Sequence, residues 1–369
     1  MRILISPDKF KNSLTAYQVC DAVERGIRKV RKEAEVIKLP LADGGEGTLE
    51  ILEKELKAQR IELEVSDPLF RPVKAHYLLN GDKAYIEMAK ASGLPLLKSF
   101  EKSAMKTSTY GTGELIADAV EKGAKEIFVM IGGSATNDGG CGMAEALGAK
   151  FYSKAGKELK TIRGGDLNQL GKIDVSALES YREVKFIVLS DVQNPLTGPN
   201  GASHIFGAQK GASDSEILKL DVGLKNLALL MNDGKDQKPG AGAAGGLGYG
   251  LMSFLNAEIR SGIDQVFEQL NYDMHLQNVD IVITGEGKLD TQTLNGKVIA
   301  GVCSKAKNHN IPIGIICGIA EDADHVKTSL GIKMIYQVDE KSTSFQDSMK
   351  NAAKYVEQLA EELMQSFIR

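Results

Sequence analysis

Short apolar runs that stop at a polar or glycine-rich loop and resume as a helix-period segment recur along this chain, and that alternation admits few folds. Residues 2–6 (Arg-Ile-Leu-Ile-Ser) read as a buried strand, and after a polar loop Ala16, Val19, Cys20, Val23, Ile27 and Val30 fall on one helical face. Thr15 and Gln18 stand at the spacing of a capping box, which sets the start of that helix. Further buried strands are expected near 34–41, 126–131, 185–190, 279–284 and 311–317. A last helix at about 344–367 is expected to carry Phe345, Met349, Ala352, Ala353, Val356, Leu359, Ala360 and Leu363 on one face. Strands alternating with helices imply parallel sheets. Residues 61–88 break the rhythm: they alternate more, contain Pro68 and Pro72, and carry Asn80-Gly81, a hairpin signal. A chain of 369 residues exceeds one ordinary core. The expected organisation is therefore α/β, with a discontinuous domain built from both chain ends (1–65 plus 292–369) and a second, mixed α/β domain (66–291) inserted.

Charge and cysteine usage narrow the partners. The formal net charge is −4 and no Lys/Arg-rich run occurs, so nothing recommends nucleic acid or a membrane surface. No apolar stretch reaches transmembrane length. Cys20, Cys141, Cys303 and Cys317 are far apart with no C-x-x-C spacing, which speaks against a zinc site or a disulfide framework and for buried thiols in a reducing cytosol. The apolar run at the N-terminus is too short for a signal peptide, so a cytoplasmic protein is expected.

Five loops concentrate the polar chemistry. In open parallel sheets ligands bind at the carboxyl ends of strands, where helix N-termini favour anions. Ser6–Ser13 crowds Asp8, Lys9 and Lys11 after the first strand. In Ala42-Asp43-Gly44-Gly45-Glu46-Gly47 the glycines let backbone approach a ligand, while Asp43 reads equally as a ligand group or a helix cap. Gly132–Gly140 combines four glycines with Ser134, Thr136 and Asn137, a composition suited to cradling phosphate. Asp191 follows a buried strand and reads as a metal-binding or base carboxylate, or as a cap. Glu286 and Asp290 follow another strand and could hold Mg²⁺ through oxygen ligands, or form a surface ion-pair cluster with Lys288. Gly240-Ala-Gly242-Ala-Ala-Gly245 matches a dinucleotide fingerprint literally but follows no strand, so it reads as a close-packed helix start. The chain has no P-loop and no protein-kinase motif set. A phosphoryl-transfer enzyme fits these loops; its substrate does not follow from them.

At the same loops the sequence resembles the bacterial glycerate kinase family. Ser6-Pro-Asp-Lys-Phe-Lys-Asn-Ser-Leu14, Ala42-Asp-Gly-Gly-Glu-Gly47 and Gly132-Gly-Ser-Ala-Thr-Asn-Asp-Gly-Gly140 are similar to that family's motifs. So are Asp191-Val-Gln-Asn-Pro195, Gly207-Ala-Gln-Lys-Gly-Ala212, Pro239–Gly246 and Thr284-Gly-Glu-Gly287 with Asp290-x-Gln-Thr293. Lys9, Ala208 and Cys317-Gly-Ile depart from the pattern without touching the long glycine-rich motifs. The resemblance implies ATP- and Mg²⁺-dependent phosphorylation of D-glycerate to 2- or 3-phosphoglycerate. It also implies two α/β domains, one Rossmann-like, with the active site in the cleft between them. D-glycerate and ATP are then the small-molecule partners, and a homodimer is compatible with this reading.

The roles expected from placement are as follows. Asp191 is the base, with Lys11 and Asp43 beside the chemistry. Asp8, Lys11, Asp43, Gly44 and Gly45 receive the substrate; Gly132, Gly133, Ser134, Thr136 and Asn137 hold ATP; Glu286 and Asp290 hold Mg²⁺. Two rival readings are a serine hydrolase using Ser134 with Asp191 and His204, and a sugar-acid-binding regulator without catalysis.

Overall fold

A computed structural model describes residues 1–45, 47–290, 293, 298–321, 323–332 and 334–368. The chain divides into two compact units, 1–43 with 263–369, and 44–262.

The first unit is a five-stranded, wholly parallel sheet in the order Met334–Gln337, Ile313–Cys317, Ile281–Thr284, Arg2–Ile5, Glu35–Lys38. Both chain ends supply strands, so the Rossmann-like expectation holds for this sheet. The strand order is one of the two common doubly wound arrangements, and it reverses direction between Arg2–Ile5 and Ile281–Thr284. The helix Ala16–Val30 opens on the expected capping box of Thr15 and Gln18. Its buried Val19, Cys20, Val23 and Ile27 share a core with Tyr355, Val356, Leu359, Ala360 and Leu363 of Ala352–Ile368. Gly26 allows the close approach: a β-carbon there would lie 2.3 Å from the Glu357 carbonyl. The expected single helix at 344–367 is two helices, Phe345–Lys350 and Ala352–Ile368. The Asp347 carboxylate explains the break, because it accepts from the Thr343 N–H, Asn351 Nδ2 and the Tyr355 hydroxyl; Phe345 is exposed rather than on the buried face.

The second unit is a six-stranded mixed sheet in the order Glu258–Arg260, Lys185–Leu189, Glu126–Met130, Lys83–Glu87, Pro72–Asn80, Gln59–Ser66. The first four strands are parallel and the last two antiparallel. The hairpin signal lands one residue on: Asn80 pairs with Lys83, and Gly81, at φ +62°, takes the first loop position. The unit boundaries differ from those expected at 65 and 291. Gln59–Ser66 pairs along its whole length with Pro72–Asn80, so the sequence-based border cut a hairpin in two. Ile281–Thr284 pairs with Arg2–Ile5, which places the segment before residue 291 in the first unit.

Candidate functional site

In the first unit the loops after strands Arg2–Ile5 and Ile281–Thr284 leave the sheet side by side at the topological switch point, where open sheets take ligands. The Asp8 N–H donates to the Gly285 carbonyl at 2.8 Å. Phe10 and Leu14 then close a tight loop by two mutual backbone hydrogen bonds, with Lys11 exposed near its tip and Asn12 at φ +63°. That loop rests on Gly287, where a β-carbon would sit 3.2 Å from the Lys11 nitrogen and 3.3 Å from Phe10 Cα. Burial pushes the Asp8 carboxyl up to about 7, and the nearby charges of Asp43 and Glu286 push the same way. Three carboxylates therefore feel one another at this end of the sheet, with Lys9 and Lys11 on the same loop as Asp8.

Glu286 is buried and accepts from the Thr293 hydroxyl. That same hydroxyl accepts from the Asp290 N–H at 3.1 Å, so Thr293 ties the two acids of the fifth loop together. The Asp290 carboxylate lies 3.6 Å from Lys288 Nζ, the ion-pair arrangement left open above. Among the described residues no group of three or more His, Cys, Asp or Glu side chains is gathered as a metal cage. Mg²⁺ at phosphate-transfer sites needs none, since it is held by one or two carboxylates together with waters and substrate phosphates. The all-oxygen character of Asp8, Asp43 and Glu286 suits that ion.

In the second unit the carboxyl ends of the four parallel strands gather the other expected residues. Gly44, at φ +85°, lies where a β-carbon would be 3.2 Å from Leu189 Cβ and 2.9 Å from Gly262 Cα. Asp191, two residues past Leu189, accepts from the Gly262 N–H at 3.2 Å. Gly132 faces Gly45, whose Cα would be 3.6 Å from a β-carbon at 132. Glu46, Thr291 and Gln292 of the quoted motifs lie outside the described residues.

The Gly132–Gly140 loop is divided between a surface tip and an interior. Gly132 and Gly133 are exposed, whereas Ser134, Thr136, Asn137 and Asp138 are buried. The tip is anchored from the neighbouring strand end: the Leu94 N–H donates to the Gly133 carbonyl and the Ala135 N–H to the Ser92 carbonyl. Asn137 exchanges side-chain hydrogen bonds with Ser203. The Asp138 carboxylate accepts from the Thr109 N–H and hydroxyl at 2.7 and 2.8 Å and from the Gly140 and Gly142 N–H groups at 3.2 Å each. Asp138 thus already occupies the start of helix Cys141–Ala146, and the free helix N-terminus expected for phosphate is not offered there. What the loop presents outward is the backbone of Gly132 and Gly133, while Ser134, Thr136 and Asn137 hold its shape.

The glycines of 240–250 pack on the inner side of this loop. A β-carbon at Gly245 would lie 1.9 Å from the Thr136 carbonyl, and one at Gly250 2.5 Å from that of Gly139. Ala244, Gly245 and Gly246 all have left-handed φ, which kinks the helix Ala243–Leu255 at its start. The close-packed reading of that segment is what the geometry shows.

Lys210 received no role from the sequence. It is 2% exposed, and its Nζ donates to Ser134 Oγ at 2.8 Å and to the Thr136 carbonyl at 2.7 Å. Burial pulls its ammonium down to about 7, with Asp138 pulling the other way. The available signal was its place between two glycines in Gly207-Ala-Gln-Lys-Gly-Ala212. The hydrolase triad is not assembled: Ser134 is bonded to Lys210, His204 Nε2 stands 4.0 Å from Asp221, and Asp191 meets Gly262.

Comparison with known proteins identifies the family. The sequence profile of the glycerate kinase family matches residues 3–368. A glycerate kinase of Bacillus subtilis (strain 168) is 43% identical over 375 residues, covering 99% of this chain and 97% of that protein. The Glycerate 2-kinase of Escherichia coli (strain K12) is 44% identical, covering 92% and 90%. A crystal structure of a Salmonella typhimurium LT2 protein designated glycerate kinase 2 superposes with a TM-score of 0.87 at 40% identity, covering 100% of this chain and 98% of the other. With the family profile spanning almost every residue and relatives of this identity over nearly their whole length, this chain belongs to the glycerate kinase family.

Proposed function

We propose that this chain transfers the γ-phosphate of ATP to a hydroxyl of D-glycerate, with 2-phosphoglycerate and ADP as products. The observation that carries the reading is the gathering of Asp8, Asp43 and Glu286 at the switch point of the five-stranded parallel sheet, with Lys9 and Lys11 on the loop that carries Asp8. The name of the 44% identical Escherichia coli relative, Glycerate 2-kinase, favours the 2-hydroxyl over the 3-hydroxyl.

Phosphoryl transfer asks a protein mainly to position groups and to balance charge. Lys11, exposed on the loop that carries Asp8, receives the glycerate carboxylate together with that loop. A proton acceptor for the attacking hydroxyl works best with a pKa near the working pH. The Asp8 carboxyl, held at about 7, meets that requirement. Asp191 was assigned that role from its place after a strand; its hydrogen bond from Gly262 suits a cap that sets the 189–191 turn against Gly44. Glu286 and Asp43 are the oxygen donors best suited to Mg²⁺, with Asp290 held back by Lys288. When bound, Mg²⁺ neutralises charge on the transferring phosphate. The exposed backbone of Gly132 and Gly133, with Gly44 and Gly45, offers the nucleotide phosphates close approach to N–H groups. Four free buried cysteines suit a reducing compartment, which supports the cytoplasm as its place.

The test is product analysis. Incubation with D-glycerate and MgATP should release ADP only when glycerate is present, and ³¹P NMR should show a single phosphoglycerate with phosphate on the 2-hydroxyl. ADP release that ignores glycerate would overturn the reading; a 3-phosphate product would correct the site of transfer.

A further inference from the structure

We propose that Lys210 is the positioning residue of the Gly132–Asn137 loop, fixing the exposed glycine tip from below and giving it a positive potential toward the phosphates of ATP. The inference rests on the reading of that tip as a nucleotide-phosphate site.

The geometry is that of a clamp. Lys210 ends the short 3₁₀ turn Ala208–Lys210, which follows helix Ala202–Phe206. The turn is fixed by its own hydrogen bonds, from the Lys210 and Ala212 N–H groups to the Gly207 carbonyl. Gly211 follows at φ +82°, where a β-carbon would lie 2.2 Å from the Lys102 carbonyl, so this corner cannot shift without disturbing the chain around residue 102. From this fixed base Nζ reaches a side chain and a carbonyl two residues apart in the loop, Ser134 Oγ and Thr136 O. The same segment grips the loop a second time through Ser203 and Asn137. The tip Gly132–Gly133 is the part of the loop these two grips leave at the surface.

The choice of lysine is informative. Burying an ammonium is costly unless a counter-charge meets it. Among the described residues Lys210 forms no direct ion pair and its two bonds go to neutral oxygens, so the Asp138 carboxylate offsets burial only from a distance. A neutral donor would hold the loop without that cost. An ammonium that burial weakens in this way gains charge when an anion arrives beside the loop, and perturbed buried groups of this kind concentrate at functional sites. The side chain is closed off from solvent, so it acts on the phosphates through the loop and through its field rather than as a transferring group.

The test compares Lys210→Met, Lys210→Gln and Ser134→Ala with Gly132→Ala, measuring kcat, KM for ATP, KM for glycerate and Tm in the intact enzyme. Lys210→Met is expected to raise KM for ATP at least 10-fold with KM for glycerate within 2-fold. Lys210→Gln, which keeps a donor and loses the charge, should recover part of the lost Tm but keep most of the rise in KM. Ser134→Ala should raise KM for ATP about 3-fold. If Lys210→Met does not fold, the other two variants decide. Unchanged KM for ATP in the folded Lys210 variants, with only Tm lowered, would make Lys210 a packing residue and overturn the inference. Gly132→Ala separates the two levels: a normal KM for ATP there removes the tip from the phosphate site, whereas a raised one beside normal Lys210 variants refutes the role of Lys210 alone.

Discussion

Gly245→Ala is the sharpest test of how the glycine-rich segments divide between structure and ligand. Gly245 sits at φ +68°, and an added β-carbon would lie 1.9 Å from the Thr136 carbonyl and 2.8 Å from Asn137 Cα. The left-handed backbone alone costs an alanine about 1–2 kcal/mol. The overlap is with backbone, so it is relieved only by moving the loop or the helix start, adding about 1–3 kcal/mol as in other overpacked sites. The total, about 2–5 kcal/mol, is a large part of the 5–15 kcal/mol that usually holds a domain folded. For a unit of this size it should lower Tm by roughly 4–20 °C. The chain has no tryptophan, so far-UV circular dichroism is the suitable probe of the melt. Gly132→Ala is the control, because Gly132 lacks the left-handed φ and its added carbon meets nothing closer than Gly45 Cα at 3.6 Å. Its Tm should stay within about 2 °C of the wild type. A Gly245→Ala enzyme that melts with the wild type would refute the claim that this glycine exists for backbone contact.

Three further outcomes follow from the acids and the lysine. Asp8 titrates at about 7 when folded against an ordinary value of 3.8, so between those pH values the folded chain holds a proton that the unfolded chain has released. Its contribution therefore falls as pH rises through that window; Asp8→Asn should make the ligand-free protein more stable above pH 7, by up to a few kcal/mol, with the difference vanishing near pH 4, and melts across pH check it. Lys11 is exposed, so Lys11→Met should keep its Tm while raising KM for glycerate about 10-fold or more; unchanged kinetics would remove it from the site. Asp191 divides by variant: a cap tolerates asparagine, which still accepts from Gly262, and suffers with alanine, whereas a base loses about 10²-fold in kcat with either.

The fold was legible where local chemistry decides it. The Thr15–Gln18 capping box, the strand positions and the participation of both chain ends appear as read, except that Glu35–Lys38, expected buried, is an edge strand with exposed ends. The unit borders were not, because the change in alternation at 61–88 reports antiparallel pairing but not where its first strand begins, and a border at 65 falls inside Gln59–Ser66. The placement of the first unit's acids after strands of a parallel sheet was legible, because each follows a short apolar run. The glycine-rich loop was only half legible. Composition does not distinguish a glycine that leaves room for a ligand, such as Gly132, from one that leaves room for another stretch of backbone, such as Gly245. Nor could it show that Asp138 fills a helix start, or that a lysine some seventy residues on reaches Ser134, since both depend on tertiary placement.

The crowding of Asp8, Asp43 and Glu286 also constrains how a cation and a proton should compete. Each neighbouring carboxylate raises the Asp8 carboxyl by disfavouring a further negative charge, on top of the larger effect of burial. A divalent cation reverses the sign of that local field and favours the ionised form. Added Mg²⁺ should therefore bind more tightly as pH rises through 7 and release protons as it binds. Removing one neighbour by Asp43→Asn acts on both quantities at once: it lowers the Asp8 pKa by relieving repulsion, and it weakens Mg²⁺ by removing a donor. A change in packing alone would not link these two effects. Calorimetric titration of Mg²⁺ in buffers of different ionisation enthalpy reads the proton release directly. Tight Mg²⁺ binding with no proton release near pH 7 would mean that the cation sits away from Asp8, and the acids at the switch point would then have to act on the substrate alone.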